Sequence, residues 1–356
     1  TIEGFKKRLS EKTTESFEIF IDYLDLSRIP GQAHIDRSVR YLVGKYSEAP
    51  PDVLIPLGRA AIPFMVKNRD VIAPQVPIIF ASVPAGEVAE ANALPNAVSV
   101  VTEYNFAKTL ELARRLQPAA HNLVVVAGAS DYDRSWANDA RRELEPYRNR
   151  YQTRYLVGLP YDEMLKEVSQ LSRDTIVMMS FVFMDGAGVP RIPPNVAAAV
   201  SDISAAPVYS PIPTFFGRGV VGGYTDSYEA EGAVAADLAL EILSGKAPAT
   251  LNKETKSLHR YEVDGRQLER WGLSSRNLPP DTVVSFLEPS LWDRYRWQVV
   301  LVAATILLQS LLITYVLFQN RRRRMAEISL KESEERMTFT AASANVGLWQ
   351  FDRHTN

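Results

Sequence analysis

Between Arg296 and Arg321 the chain carries no charge, and residues 297–318 read WQVVLVAATILLQSLLITYVLF. As a helix this stretch is roughly 33 Å long at about 1.5 Å per residue, enough to cross a hydrocarbon core of about 30 Å. Its polar residues are all uncharged: Gln298, Thr305, Gln309, Ser310 and Thr314. Helical backbone bonding and neighbouring helices can absorb such groups. Trp292, Tyr295 and Trp297 stand at one end and Tyr315 and Phe318 at the other, where membrane interfaces gather aromatic rings. Arg321, Arg322, Arg323 and Arg324 follow, against Arg294 and Arg296 on the other side. The positive-inside bias therefore puts residues 321–356 in the cytoplasm and residues 1–294 outside it.

Composition narrows what lies outside. Hydrophobic residues make up 46% of the 356 and charged residues 23%, a balance that excludes a disordered chain. Net charge is −2, so no global basic field argues for nucleic acid. The chain has no cysteine, which excludes disulfides, thiol nucleophiles and thiolate metal sites together. It opens in TIEGFKKRLSEK, an amphipathic helical stretch and not an apolar export segment, so its true N-terminus is expected to lie upstream.

Apolar runs alternate with helical patterns before the membrane stretch. Strands are expected at 17–25 (FEIFIDYLD), 52–58, 76–83, 97–101, 122–128 (NLVVVAG), 151–159, 175–184 and 207–210. Helices are expected at 33–48, 59–70, 105–117, 133–147, 161–171, 193–204 and 227–244, the last capped by Asp226 or Ser227. Continuous apolar strands separated by helices signal parallel sheets covered on both faces. The rhythm occurs twice, which predicts an α/β protein of two doubly wound lobes joined by a hinge.

The segments PDVLIPLGRAAIPFM (51–65), VPIIFASV (76–83), MMSFVFMDGAGV (178–189), PVYSPIPTFFGRGVVGGY (207–224) and EGAVAADLALEILSGKAPA (231–249) make the chain resemble the type I periplasmic-binding-protein fold. The likeness is to the ABC-transporter substrate-binding-like sensor domains of bacterial signalling proteins. It implies a ligand-binding domain over residues 1–290, with lobe one at about 1–102 plus about 208–224 and lobe two at about 103–206 plus about 226–250. Hinge crossings are expected near Val101–Glu103, Ser204–Pro211 and Tyr224–Asp226. The family begins with a strand before its first helix, whereas this chain begins inside that helix, so a gap is expected beside the strand at 17–25. After the membrane, LKESEERMTFTAASANVGLWQFDRHTN (330–356) resembles the opening of a PAS domain, through Ser333–Arg336 and Gly347–Trp349. A linker helix at 319–337 and the start of the PAS-like domain at 338–356 complete the expected order.

Gly217-Arg218-Gly219-Val220-Val221-Gly222 matches the dinucleotide pattern, but no helix and second βα unit follow, so it reads as a glycine-rich return of the chain. His34, His121, His259 and His354 are scattered, and no hydrolase elbow or phosphate loop occurs. No catalytic residue, metal or cofactor is therefore expected. The informative positions are strand C-terminal ends, where α/β sheets bind ligands against helix N-termini. These are Gly58, Arg59, Ser82 and Val83 in lobe one, Ser130, Asp131, Tyr132, Asp133, Ser180 and Phe181 in lobe two, and Tyr224 and Asp226 beyond the last crossing. Arg59 suits a ligand carboxylate or a solvated helix start. Asp131 and Asp133 suit an ammonium or hydroxyls, or plain helix capping. Tyr132, Phe181, Phe215 and Tyr224 suit the walls of an apolar cleft or its core.

These features predict the sensory region of a membrane-bound signalling receptor. The resemblance points to a sensor histidine kinase, working as a homodimer, taking an unknown small-molecule ligand and passing its signal to a response regulator. A cyclase or chemotaxis output, or a membrane-tethered solute-binding component of an ABC transporter, are the alternatives. A dinucleotide-dependent enzyme lacks its motif in the required context.

Overall fold

The computed structural model describes residues 1–29, 31–251, 254–256, 259–287 and 291–344. It divides into a compact unit, Thr1–Glu288, and a second unit, Pro289–Asn356.

The first unit opens with α1 (Ile2–Lys12), α2 (Gln32–Glu48), α3 (Ala61–Ile72), β1 (Ile78–Pro84), the single turn α4 (Val88–Ala91) and β2 (Ala97–Thr102). β1 and β2 pair in parallel, with a register shift between Phe80 and Val83. Both are apolar on each face and buried almost throughout, as parallel strands sandwiched by helices must be. The expected strand at 52–58 survives as two parallel bridges, Leu54 to Ile78 and Leu57 to Ala81. Pro56 lies between them; its carbonyl accepts from Ala81, but it has no N–H to give back.

The expected strand at 17–25 does not form. These residues are assigned no strand, and Ile19, Phe20, Ile21 and Tyr23 are exposed. Among the described residues no strand lies alongside to bond them, and β-propensity alone cannot hold an unpaired strand. Asp22 instead ties the segment to α2, accepting from Tyr41, Lys45 and Tyr46.

The chain continues through α5 (Phe106–Leu116), β3 (Asn122–Ala127), α6 (Asp131–Leu144), β4 (Gln152–Val157), α7 (Tyr161–Ser169), β5 (Thr175–Met179), α8 (Pro193–Ile203) and β6 (Val208–Tyr209). They build a parallel sheet of order β4-β3-β5-β6. Asn105 caps α5 and Ser130 caps α6, each side chain accepting a free N–H of the first turn. β5 is shorter than expected, ending at Met179 where residues 180–184 leave the sheet.

The return of the chain differs from expectation. β6 stays in the second sheet beside β5, so no crossing occurs at Ser204–Pro211. β7 (Gly222–Asp226) packs on α5, still with lobe two. α9 (Tyr228–Leu243), capped by Ser227, then packs on α1 and β1, and β8 (Glu254–Lys256) adds to β2; both belong to lobe one. β9 (His259–Asp264), α10 (Gly265–Trp271) and β10 (Val283–Ser285) return to lobe two in a small sheet of order β10-β9-β7. Residues 208–224 and 226–250 thus fall in the opposite lobes from those expected. The crossings lie at Thr102–Tyr104 and at Asp226–Tyr228, and a third separates β8 from β9. The glycine run leads directly into β7 and not into a helix. A Cβ on Gly219 would meet Ser201 Cβ at 2.7 Å, and one on Gly223 would meet the Ser210 carbonyl oxygen at 2.0 Å. Close backbone approach is what these glycines serve.

The second unit contains α11 (Leu291–Ala344), a helix of 54 residues. It holds a stretch long and apolar enough to cross a membrane. Residues 338–344 continue this helix, and the rest of the PAS-like segment, 345–356, lies outside the described residues.

Candidate functional site

One side chain reaches from lobe one to lobe two. Arg59, at the turn into α3, is held by groups on α6 and by Glu87 after β1. Its Nη1 donates to Ser135 Oγ at 2.9 Å and its Nη2 to Asp139 Oδ2 at 2.5 Å. Its Nε lies 2.6 Å from Glu87 Oε1, a close charge contact whose angle falls short of an aligned hydrogen bond. The guanidinium carbon sits 4.0 Å from the centroid of the Trp136 ring. Side-chain exposures of 12% for Arg59 and 14% for Asp139 place the contact inside the inter-lobe seam. Burial pushes the Glu87 carboxyl up, and Arg59 opposes that shift. Glu87, Asp139 and the Ser135 hydroxyl surround the guanidinium, so Arg59 acts as a latch between lobes, and a ligand anion would have to displace one of the two carboxylates.

Removing the latch leaves those two carboxylates facing each other. Arg59→Ala is expected to shift the closed–open balance toward open by about 1.5–3 kcal/mol, the scale of charge-assisted hydrogen bonds. Lysine should not restore closure, because one ammonium cannot reproduce the fork. The chain has no cysteine, so spin labels on cysteines at exposed Lys67 and Lys166 report the lobe separation directly. An unchanged distance distribution in Arg59→Ala would remove the latch.

Beneath the latch lies a cluster of aromatic rings. Trp136 is 5.0 Å from Tyr104, 6.4 Å from Tyr132 and 5.7 Å from Phe181 between centroids. Phe183 stacks on Phe181 at 5.7 Å, and Phe215 meets Phe181 edge-on at 5.9 Å. The Tyr104 and Tyr228 hydroxyls are 2.6 Å apart. Burial pushes the Tyr104 phenol up, with Tyr228 and the nearby Glu231 carboxylate adding to it. Glu231 is fully buried and accepts from the Thr1 hydroxyl at 2.9 Å. Burial pushes its carboxyl up, and Oε1 has no hydrogen-bond partner. Ser82 has a φ of 59°, a left-handed conformation at the bulge in β1.

The remaining expected positions divide by role. Gly58, with φ of 84°, turns the chain toward Arg59. Val83 is core and faces no cleft. Ser130 and Asp133 form a capping box at the start of α6. Asp133 is fully buried and also accepts from the Phe183 and Met184 amides, which fixes the 180–184 loop. Asp131 is exposed. Ser180 is fully buried, its hydroxyl without a partner. Tyr224 stands apart from the aromatic cluster, stacked on His259 at 6.0 Å and 4.2 Å from Lys108 Nζ. Asp226 is a hinge residue: it accepts from the Thr102 hydroxyl and from Glu103 N at 2.9 Å, and His259 Nε2 lies 2.5 Å from its other oxygen. One carboxylate thereby joins all three crossings.

Of the expected positions, Arg59, Tyr132 and Phe181 gather around Trp136. Sequence reasoning did not reach Glu87, Tyr104, Ser135, Trp136, Asp139, Tyr228, Glu231 or His259. For α6 the signal was present: Tyr132, Trp136 and Asp139 have the 4 and 3 spacing of one helix face.

Behind the cluster, Glu143 of α6 accepts from Phe106 N at 2.7 Å at the start of α5. Burial raises its carboxyl from 4.5 to about 6, against the pull of the amides. The protonated form is favoured in the fold, so its benefit is full below about 4.5 and lost as pH rises through about 6. Wild type is therefore expected to gain melting temperature relative to Glu143→Gln as pH falls from about 7 to about 4.5. A difference constant across that range would contradict this.

Among the described residues no group of three or more His, Asp or Glu is placed to hold a metal ion. No protein-family model matches the sequence, and no curated protein is similar to it at the sequence level. Solved structures do match. A conserved domain protein from Vibrio cholerae aligns at TM-score 0.56 and 15% identity, over 79% of this chain and 93% of that one. An ABC domain from Streptococcus pneumonia, solved with L-Trp, aligns at 0.57 and 12%, over 80% and 94%. The ligand-free, open structure of a substrate-binding protein with adhesive properties from Clostridium difficile aligns at 0.57 and 18%, over 80% and 93%. At these identities the likeness establishes the fold, and this chain has the two-lobed α/β fold of the periplasmic substrate-binding proteins.

Proposed function

We propose that residues 1–288 are the extracytoplasmic small-molecule-binding domain of a transmembrane signalling receptor, of the sensor histidine kinase kind. The observation that carries this reading is the combination in one chain of a two-lobed binding fold and a 54-residue helix that runs on past the Arg321–Arg324 cluster. Ligand bound between the lobes shifts the closed–open balance by its differential affinity for the two states. That change reaches a cytoplasmic domain through α11. A phosphatase fused near Asp281 should be active and one fused after Arg324 inactive; the opposite pattern would sink the topology.

The cleft best suits a small aromatic molecule carrying an amine. Tyr104, Tyr132, Trp136 and Phe181, packed against one another beside the latch, would line the cleft when the lobes part, and the buried Glu231 carboxylate would supply the counter-charge. L-Trp in the streptococcal neighbour is a molecule of this class. Thermal-shift titration of the ectodomain with aromatic amino acids, aromatic amines and sugars would decide. Stabilisation by sugars alone would overturn the ligand class.

A second reading, a tethered solute-binding component of a transporter, is equally supported by the neighbours themselves. Truncation after Arg324 separates the two: a transport component keeps its function, whereas a receptor loses its ligand-dependent output.

A further inference from the structure

We propose that the helix at 297–318 pairs with the same helix of a second copy of this chain, along the face bearing Gln298, Thr305 and Gln309. The proposal rests on the reading that this helix crosses the membrane. At 3.6 residues per turn, positions 7 and 11 apart lie within about 20° of one another. Gln298, Thr305 and Gln309 have those spacings. With Val302, Leu312 and Val316 they follow the alternating 4 and 3 steps of a helix-pairing seam.

The polar groups of the span are not equivalent. Thr305 Oγ1 donates to the Leu301 carbonyl, Ser310 Oγ to Ile306 and Thr314 Oγ1 to Ser310, each at 2.8 Å. These hydroxyls are satisfied within the helix. The Gln309 carboxamide makes no hydrogen bond among the described residues, and it lies near the middle of 297–318. Hydrocarbon offers it no partner, and an unmet amide there is costly. A carboxamide carries both donor and acceptor. Two copies inserted in the same direction share a two-fold axis, so each Gln309 Nε2 can donate to the Gln309 Oε1 of the second copy. Val302, Leu312 and Val316 supply apolar packing on either side. Half a turn away, Leu307 and Leu311 present apolar surface, for which lipid is as good a neighbour as protein, and Thr314 on that face is already satisfied by the Ser310 carbonyl.

A second copy is favoured over an unrelated helix because the amide is self-complementary. The absence of native cysteine makes the test clean. Single cysteines at 302, 305, 307, 311, 312 and 316 are introduced into the full chain in membranes and oxidised. Disulfide dimers should concentrate at 302, 305, 312 and 316 and be weak at 307 and 311. Gln309→Leu should raise the dimer dissociation constant about 3- to 20-fold, and Gln309→Asn should retain most of the pairing. Resistance to carbonate extraction is checked for every variant. Cross-links peaking at 307 and 311, or spread evenly, overturn the pairing face. An inserted Gln309→Leu variant that dimerises like wild type overturns the role of the amide. A chain extracted by carbonate removes the membrane reading, and this proposal with it.

Discussion

Replacing Asp133 with alanine is expected to cost the first unit about 3–5 kcal/mol, because the side-chain half of the capping box is lost and buried amides are left unmet. The carboxylate is fully buried and accepts from Phe183 N at 3.0 Å, Met184 N at 3.1 Å and Ser130 N at 3.2 Å. Alanine leaves those donors in a space too dry to supply substitutes. Asparagine should recover part of the loss, since it keeps one acceptor but turns an N–H toward the others. The effect extends beyond stability, because the 180–184 loop carries Phe181 and Phe183 into the aromatic cluster. Urea unfolding measures it, and a loss under about 1 kcal/mol would show that the loop is organised by other contacts.

Asp226→Ala is expected to cost about 3 kcal/mol, since it orphans the buried Thr102 hydroxyl and the Glu103 amide and removes the carboxylate beside His259. Asp226 is only 2% exposed, so water cannot readily take its place. The substitution also uncouples the three crossings, so lobe separation measured with the same label pair should broaden toward multiple distances. Asn should keep the distribution narrow while restoring part of the stability. A narrow, wild-type distribution in the alanine variant would show that the crossings are held together without this carboxylate.

Particular residues show where the chain was legible. NLVVVA and TIVMM are apolar on both faces, and both form central parallel strands. FEIFIDYLD has the same local character but forms no strand, because pairing depends on what lies beside it and not on its own composition. The crossings were harder. β6 and β8 hold two and three residues, too short for any periodicity to show. Their lobe follows only from which sheet edge receives them. Arg59 stood out at the end of the expected strand at 52–58, which survives only as two bridges, and its role depended on Glu87 and on Asp139, 80 residues further along. Asp226 was equally visible, and it became a hinge residue only when Thr102, Glu103 and His259 converged on it. Acidic residues at strand ends look alike in sequence whether they face a ligand, cap a helix or join a hinge.

The unbroken run of α11 makes helical phase a property that must be kept along its length. Each residue turns the helix by about 100°, so one residue inserted after Arg324 would rotate everything beyond it by that angle. Seven inserted residues would return it to within about 20° of its former bearing. Length changes in this rod therefore act as a dial: one or two residues turn it to a new setting, while a heptad adds about 10 Å and leaves the setting almost untouched. The spacing between the apolar span and the segment at 330–344 is in this sense an angle as much as a distance.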